Sequence, residues 1–136
     1  MKNVILTNMV LVKNASDEYL VLKREKKDWP GLTFPGGHTE DSEDIISSAY
    51  RELYEETGLI ANSLQEVGYF EWNNIDENRH LSILFYTDDY SGSIKSSDEG
   101  KVFFLKEENF NKYELSNDFM EIFNTFIRGI KKWNYY

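Results

Sequence analysis

The segment GGHTEDSEDIISSAYRELYEETGL, residues 36–59, constrains the fold more than any other part of the chain. Its apolar residues recur at three- and four-residue spacing, which predicts an amphipathic helix, Glu43–Thr57. Ser42 is the expected N-cap, and the two acids that follow it would lie in the first turn, where the helix dipole stabilises anions. Gly58 is expected to end the helix, because glycine takes the left-handed conformation without steric cost. The fold must therefore accommodate an acidic helix that directly follows a glycine-containing loop.

Three glutamates of this helix share one face. At about 100° per residue, Glu52, Glu55 and Glu56 fall within an arc of about 100°. Like charges at this spacing repel unless a cation lies between them. The chain has no cysteine, and ligands that are all oxygen select Mg²⁺ or Mn²⁺ over zinc. A solvated helix face is the alternative interpretation of the same three residues.

Composition limits the partners of the protein. With 15 basic against 24 acidic residues, the formal net charge is -9, which argues against a non-specific nucleic-acid or anionic-membrane binder. The absence of cysteine excludes a disulfide framework and fits a reducing cytosol. The sequence contains neither a signal-peptide pattern nor an apolar segment long enough to span a bilayer. We therefore expect a cytoplasmic protein, monomeric or homodimeric, with one domain over residues 1–136.

The rest of the chain predicts strands around a second helix. Short apolar runs between turn residues predict strands at Val4–Val12, Tyr19–Lys23, Leu32–Phe34, Leu64–Trp72, His80–Thr87 and Gly100–Leu105. The first two of these strands are expected to pair as a β-hairpin across the polar turn KNASDE. The segment SNDFMEIFNTFIRGIKKW predicts a helix that packs on the sheet, with Ser116 or Asn117 as its cap. Strands and two separated helices predict one α/β sandwich.

The order of residues in the acidic segment favours the metal-binding interpretation. It reads Gly37, five residues, Glu43, seven residues, Arg51-Glu52-Leu53, one residue, Glu55-Glu56, one residue, Gly58-Leu59. This order resembles the Nudix box at nine constrained positions over 23 residues, 37–59. The resemblance identifies the chain as a member of the Nudix hydrolases, which cleave nucleoside diphosphates linked to another group. It implies an α/β/α sandwich with a central mixed β-sheet between helices.

The resemblance also implies the ligands of the metal and the base. Glu52 and Glu56 would be the principal ligands of Mg²⁺, for which Mn²⁺ can substitute, and Glu55 would assist. Glu99 and Gly36 would be further ligands. Glu52 is the first choice of general base for the attack of water on a phosphorus atom, and Glu99 is the alternative base. An acid in a hairpin turn is the alternative interpretation of Glu99.

The remaining box residues are expected to support these ligands. Arg51 is counted with the catalytic residues, and with Glu43 it would hold the geometry between loop and helix. Gly37 belongs to the loop that enters the helix, and Gly58 ends the helix. A surface salt bridge of little energetic weight is the alternative interpretation of Arg51. His38 and His80 have no visible partner constellation and stay outside the expected catalytic set.

Features outside the box favour one subgroup of substrates. The segments DWPGLTFPGGHTE and SGSIKSSDEGKVFFL resemble those of MutT-type enzymes. Both prolines precede the box, so the downstream proline of many ADP-ribose hydrolases is absent, and the tyrosine typical of dinucleoside polyphosphate hydrolases is missing too. The resemblance thus implies hydrolysis of a nucleoside triphosphate, 8-oxo-dGTP or a related purine nucleotide, to monophosphate and pyrophosphate. Another nucleoside diphosphate derivative, or a noncatalytic nucleotide-sensing role, is the alternative.

A small-molecule nucleotide is therefore the expected partner. Arg24 at the end of a strand is expected to reach the phosphates. The base is expected to stack on a wall of aromatic rings: Phe34, Trp72, Phe85 and Phe104. Asn117 would read the base edge, because an amide both donates and accepts hydrogen bonds. The alternative interpretations are an exposed charge for Arg24, a core ring for Phe34 and a helix cap for Asn117.

Overall fold

The computed structural model describes residues 3–24, 30–73, 77–96, 98 and 100–134. The strands are β1 (Val4–Val12), β2 (Tyr19–Arg24), β3 (Gly31–Thr33), β4 (Gly36–His38), β5 (Ile60–Ala61), β6 (Gln65–Asn73), β7 (Arg79–Thr87), β8 (Tyr90–Ser91) and β9 (Gly100–Leu105). The helices are α1 (Ile45–Thr57) and α2 (Phe119–Asn134), with a 3₁₀ turn at Glu107–Lys112 between β9 and α2. Residues 25–29, between β2 and β3, and residues 74–76, between β6 and β7, lie outside the described residues. The prediction that Gly37 belongs to the loop that enters the helix is wrong: Gly37 lies in strand β4, because β1 pairs with it.

Two sheets carry the fold. The first has the strand order β4, β1, β7, β6, with β1 and β7 parallel and the other neighbours antiparallel. The second has the order β3, β2, β9 and is antiparallel throughout. The predicted mixed central sheet is therefore confirmed.

The two helices cover opposite faces of strand β1. Successive side chains of a strand point to opposite faces, and here both faces are apolar. Leu11 belongs to the core cluster that includes Phe123 of α2, whereas Val10 and Val12 belong to the cluster that includes Leu53 of α1. This arrangement confirms the predicted α/β/α sandwich. Within the described residues, no helix is both long and apolar enough to cross a membrane.

The predicted β-hairpin of the first two strands is wrong. Its turn forms, since the Asn14 side chain accepts hydrogen bonds from the backbone N–H groups of Ser16 and Glu18. The two strands are joined by a single β-bridge between Lys13 and Tyr19 and then separate into different sheets. Both strands have buried side chains on both faces, so each needs cover that a two-stranded hairpin cannot supply, and long-range pairing decides their neighbours.

The predicted start of α1 is also wrong. Ser42 is not the cap: the Asp44 carboxylate accepts the backbone N–H of Ser47 at 2.8 Å, and the helix begins at Ile45. No acid lies in the first turn, because Asp44 is the cap and Glu43 precedes it. That hydrogen bond to Ser47 lowers the pKa of Asp44. At the other end Gly58 stops the helix as predicted, with φ of 81° and its N–H bonded to the Tyr54 carbonyl.

The start of α2 departs from one of the two predicted caps. The Ser116 hydroxyl donates to the carbonyl of Leu32 on the neighbouring strand, 2.5 Å away. Helix α2 begins at Phe119, and the Asp118 carbonyl accepts the Ile122 N–H. Ser116 therefore ties the helix approach to β3 and does not cap it.

Candidate active site

Two carboxylates of α1 meet the short glycine strand β4. One Glu56 carboxylate oxygen accepts the Gly36 N–H at 2.7 Å, and the Glu56 residue is 7% exposed. The Glu52 carboxylate lies against Gly37: a Cβ atom built there would be 2.6 Å from Glu52 Cδ and 2.8 Å from each carboxylate oxygen. Both carboxylates therefore converge on one two-residue segment, Gly36 and Gly37, and a Cβ atom at Gly37 would displace the Glu52 carboxylate.

Arg51 connects the acids of the helix with the end of β4. Its Nε and Nη2 donate to the two carboxylate oxygens of Glu43 at 3.0 and 2.6 Å, a bidentate pair. Its Nη1 donates to Glu52 at 2.9 Å and to Glu55 at 3.1 Å. Its Nη2 also donates to the His38 carbonyl at 3.2 Å. One guanidinium thus orients the Glu52 carboxylate relative to the loop and the glycine strand.

These contacts shift two pKa values. The hydrogen bonds from Arg51, together with the Glu40 backbone N–H, lower the pKa of Glu43 from its ordinary 4.5 to about 2. The same pairing with Glu43, assisted by Glu52, raises the pKa of Arg51. Glu43 and Arg51 therefore stay charged at neutral pH and hold each other in place.

This pairing predicts a pH dependence of stability. We expect Glu43 to stabilise the fold above about pH 4.5, and to lose that contribution as the pH falls toward its folded pKa of about 2, because the unfolded carboxylate takes up its proton first. Urea midpoints of wild type and Glu43→Gln, measured between neutral pH and about pH 3, should differ at neutral pH and converge below about pH 4.5. Glu121→Gln on α2 serves as a matched carboxylate change. A pH-independent difference for Glu43→Gln would contradict the assignment.

The donors at this site suit a hard cation. Within the described residues, which exclude Glu99, no three Asp, Glu or His side chains are arranged to hold a metal ion. Mg²⁺ commonly binds through one or two carboxylates plus substrate phosphates, and Glu52 and Glu56 supply such a pair at Gly36 and Gly37. Glu55 is turned toward Arg51. The residues present therefore fit a divalent cation whose coordination is completed by a ligand.

A cavity of about 240 Å³ adjoins the glycine strand. Gly36, Gly37 and residues of neighbouring strands line it. Four of its lining side chains carry buried polar atoms without a hydrogen-bond partner in the described part of the chain: Thr7 Oγ1, Asn8 Oδ1, Arg24 Nε and Trp72 Nε1. Buried polar atoms are rarely left unpaired, so this concentration points to a ligand that completes the hydrogen bonds.

The three residues predicted to bind substrate differ in how they contact this cavity. Arg24 and Phe34 line it, but Phe34 is 4% exposed and stacks on Phe119 with ring centroids 4.5 Å apart, so much of its ring belongs to the core. Asn117 lies in a smaller adjoining pocket that Trp72 also lines. The Trp72 ring stacks on that of His80, with centroids 5.9 Å apart and planes 4° from parallel.

Thr7 and Asn8 were not among the site residues predicted from the sequence. The detectable signal was their polarity within the apolar run VILTNMVLV, where alternate side chains should be buried. His80 was also given no role in the predictions, although it lines the cavity with Trp72. Glu99, expected as a ligand and alternative base, lies outside the described residues.

Comparisons with known proteins point in the same direction. The model of the NUDIX domain family matches residues 5–123. An ADP-ribose pyrophosphatase from Methanocaldococcus jannaschii is 32% identical over 87 residues, which cover 62% of this chain and 52% of that protein. An oxidized purine nucleoside triphosphate hydrolase from Danio rerio is 32% identical over 98 residues, covering 69% of this chain and 61% of that protein.

A solved structure has the same arrangement of elements. The crystal structure of a MutT mutator protein from Bacillus halodurans superposes with a TM-score of 0.76 at 25% identity, covering 88% of this chain and 80% of that chain. The matched part of this chain spans about half to three fifths of the length of the two curated relatives.

Proposed function

The chain belongs to the Nudix family, and on that premise we propose that it is a Mg²⁺-dependent hydrolase that converts a nucleoside triphosphate to monophosphate and pyrophosphate. The proposed substrate is 8-oxo-dGTP or a related purine nucleotide. The observation that carries the proposal is the convergence of Glu52 and Glu56 on Gly36 and Gly37, beside a cavity with unpaired polar atoms. This geometry supports holding a cation and a phosphate chain at one end of a ligand pocket.

The residues of the site divide the chemistry between them. When bound, Mg²⁺, or Mn²⁺ in its place, neutralises phosphate charge and lowers the pKa of the attacking water. Glu52 and Glu56 would hold the ion, with Gly36 and Glu55 as assisting ligands. Glu52 also takes the proton of the water whose oxygen bonds to phosphorus, as the bridging P–O bond breaks and pyrophosphate leaves.

Two residues complete this assignment. Arg51 keeps the Glu52 carboxylate oriented through its 2.9 Å hydrogen bond. Glu99 is the alternative base and a further ligand in this proposal. Because the net charge is -9, the cation is also what allows an acidic protein to bind an anionic substrate.

The cavity supports recognition of a purine base. Trp72 Nε1 is a donor, and the carbonyl oxygen of an oxopurine is an acceptor of matching kind. Arg24 Nε is a further donor, which we assign to the phosphates. The stacked rings of Trp72 and His80 offer a planar wall for a base. Asn117, in the adjoining pocket, is proposed to read a second edge of the base.

Replacing Trp72 by Phe tests this recognition. The substitution keeps an aromatic ring but removes the indole N–H, so we expect KM for an oxopurine triphosphate to rise roughly 2- to 13-fold, the value of one hydrogen bond of about 0.5–1.5 kcal/mol. A purine triphosphate without the carbonyl should show no such change. Trp133→Phe is the matched control, because the Trp133 N–H donates to the Glu66 carbonyl away from the cavity. Equal KM changes for both substrates would refute the assignment of Trp72.

A substrate panel tests the proposed function itself. Purified protein with Mg²⁺ should release pyrophosphate and monophosphate from normal and oxidised purine triphosphates faster than products from ADP-ribose or dinucleoside polyphosphates. A preference for ADP-ribose would make ADP-ribose, and not a triphosphate, the substrate. That result would agree with the name of the Methanocaldococcus jannaschii relative. Nucleotide binding without any product would favour a noncatalytic sensor.

A further inference from the structure

Asn8 is a polar residue in the middle of an apolar buried strand. It is 1% exposed, and Val10, Leu11 and Val12 farther along β1 are fully buried. In the sheet Asn8 lies directly opposite Gly37 of β4. A buried amide at this position is costly unless it is hydrogen-bonded, so its partners determine what it does.

The hydrogen bonds of Asn8 fix the orientation of its amide. Nδ2 donates to the Gly37 carbonyl at 3.2 Å and to the Ser48 hydroxyl at 3.0 Å. The single hydroxyl proton of Ser48 goes to the Ile45 carbonyl at 2.6 Å, so Ser48 can only accept from Asn8 and from the Thr39 hydroxyl, 2.9 Å away. Both partners of Asn8 therefore accept a hydrogen bond from it. Its NH₂ group, and not its carbonyl oxygen, must face them.

Asn8 thereby connects the glycine strand to the first turns of α1. Its two bonds join the Gly37 carbonyl to Ser48, one turn before Glu52 on the same helix. Arg51 makes a second connection, from α1 to the His38 carbonyl, but that contact is exposed and the one at Ser48 is buried. Two consecutive carbonyls of β4 thus each accept a hydrogen bond from a side chain: Gly37 from Asn8, and His38 from Arg51.

We propose that Asn8 is a positioning residue for the metal site. By holding the Gly37 carbonyl and Ser48 together, it sets the distance between the glycine strand and the helix that carries Glu52 and Glu56. The inference rests on the proposed function, in which these two carboxylates hold the divalent cation. Residues that hydrogen-bond directly to metal ligands commonly change metal affinity by about 10- to 100-fold when removed. Asn8 acts one contact farther away, through Gly37 and Ser48, so we expect an effect at the lower end of that range.

The test is Mn²⁺ binding to the intact protein, followed by electron paramagnetic resonance without substrate. Asn8→Ala should weaken Mn²⁺ binding by roughly 10-fold or more. Ser48→Ala, which removes one acceptor and places a good helix former in α1, should weaken it less and keeps the test available if Asn8→Ala does not fold. Val10→Ala is the matched control on the same strand: it removes buried apolar contacts near α1 and should leave Mn²⁺ affinity unchanged.

The outcomes separate this inference from the proposed function. Wild-type Mn²⁺ affinity in folded Asn8→Ala and Ser48→Ala would overturn the role of Asn8 and leave the proposed function standing. Equal weakening in Val10→Ala would also overturn it, because general loss of packing would then explain the effect. A wild-type protein that binds no Mn²⁺, either alone or with inorganic pyrophosphate present, would overturn the proposed function and this inference with it.

Discussion

Replacing Glu52 by Gln is expected to lower kcat at least about 10³-fold while the protein stays folded, because in the proposed mechanism this one residue both holds the cation and takes the proton of the attacking water. Gln keeps the size of the side chain and an oxygen that can accept the Arg51 hydrogen bond, so the helix contacts persist. Pyrophosphate release gives kcat, and thermal melting checks the fold. Glu55→Gln, at an exposed position that also pairs with Arg51, should lower kcat much less.

A Glu52→Gln variant with near-normal kcat would remove Glu52 from both roles. In that event the base would have to lie elsewhere, and Glu99→Gln is the variant to measure next. A variant that loses kcat and thermal stability together would leave the loss of activity attributable to unfolding. Measuring Mn²⁺ binding at a temperature where the variant is folded then shows whether activity is lost with the Glu52 carboxylate or only through unfolding.

Adding a single methyl group to β4 is expected to produce opposite results at its two glycines. At Gly37 a Cβ would meet Glu52 Cδ at 2.6 Å, the far end of a flexible side chain, which can move aside. At Gly36 a Cβ would meet the backbone carbonyl oxygen of Asn8 at 2.0 Å and the Met9 Cα at 2.9 Å, and backbone atoms in a paired strand cannot move aside. The first change displaces the Glu52 carboxylate, a proposed metal ligand, and the second separates two paired strands.

Gly37→Ala should therefore fold with a near-normal melting temperature and lose roughly 10²-fold or more in kcat/KM, since a displacement of about 1 Å at a reacting group has that effect. Gly36→Ala should lose more than about 3 kcal/mol of folding free energy, above the usual range for overpacking. Thermal melting and initial rates of both variants measure the contrast. A stable, active Gly37→Ala would show that Glu52 does not need its observed position against β4.

Local patterns predicted the acidic helix because its period and its glycine stop act within the helix itself. The start of the helix was missed by two residues, since Ser42, Glu43 and Asp44 are all chemically able to cap and the choice depends on contacts. Arg51 engages Glu43 across the loop, and Asp44 is then the residue that bonds to Ser47. Sequence spacing indicates that these groups can meet but does not rank them.

The pairing of the strands was harder to predict from the sequence than their positions along the chain. Apolar runs located β1, β2, β6, β7 and β9 to within about two residues, because burial leaves a periodic pattern. The three-residue strand β4 is too short to show one and exists because β1 pairs with it. The first two strands follow each other closely in sequence, yet tertiary contacts place them in different sheets.

The sequence by itself determined the helix, the face on which its glutamates lie and the order of residues that identifies the family, because all of these depend on spacing along one element. Only the tertiary structure decided which strand the carboxylates face, how Asn8 joins that strand to the helix and where the cavity lies. Those features join residues such as Asn8 and Ser48, 40 positions apart, or Gly36 and Glu56, 20 apart. Contacts across such separations depend on how the sheets and helices pack, and no local period records them.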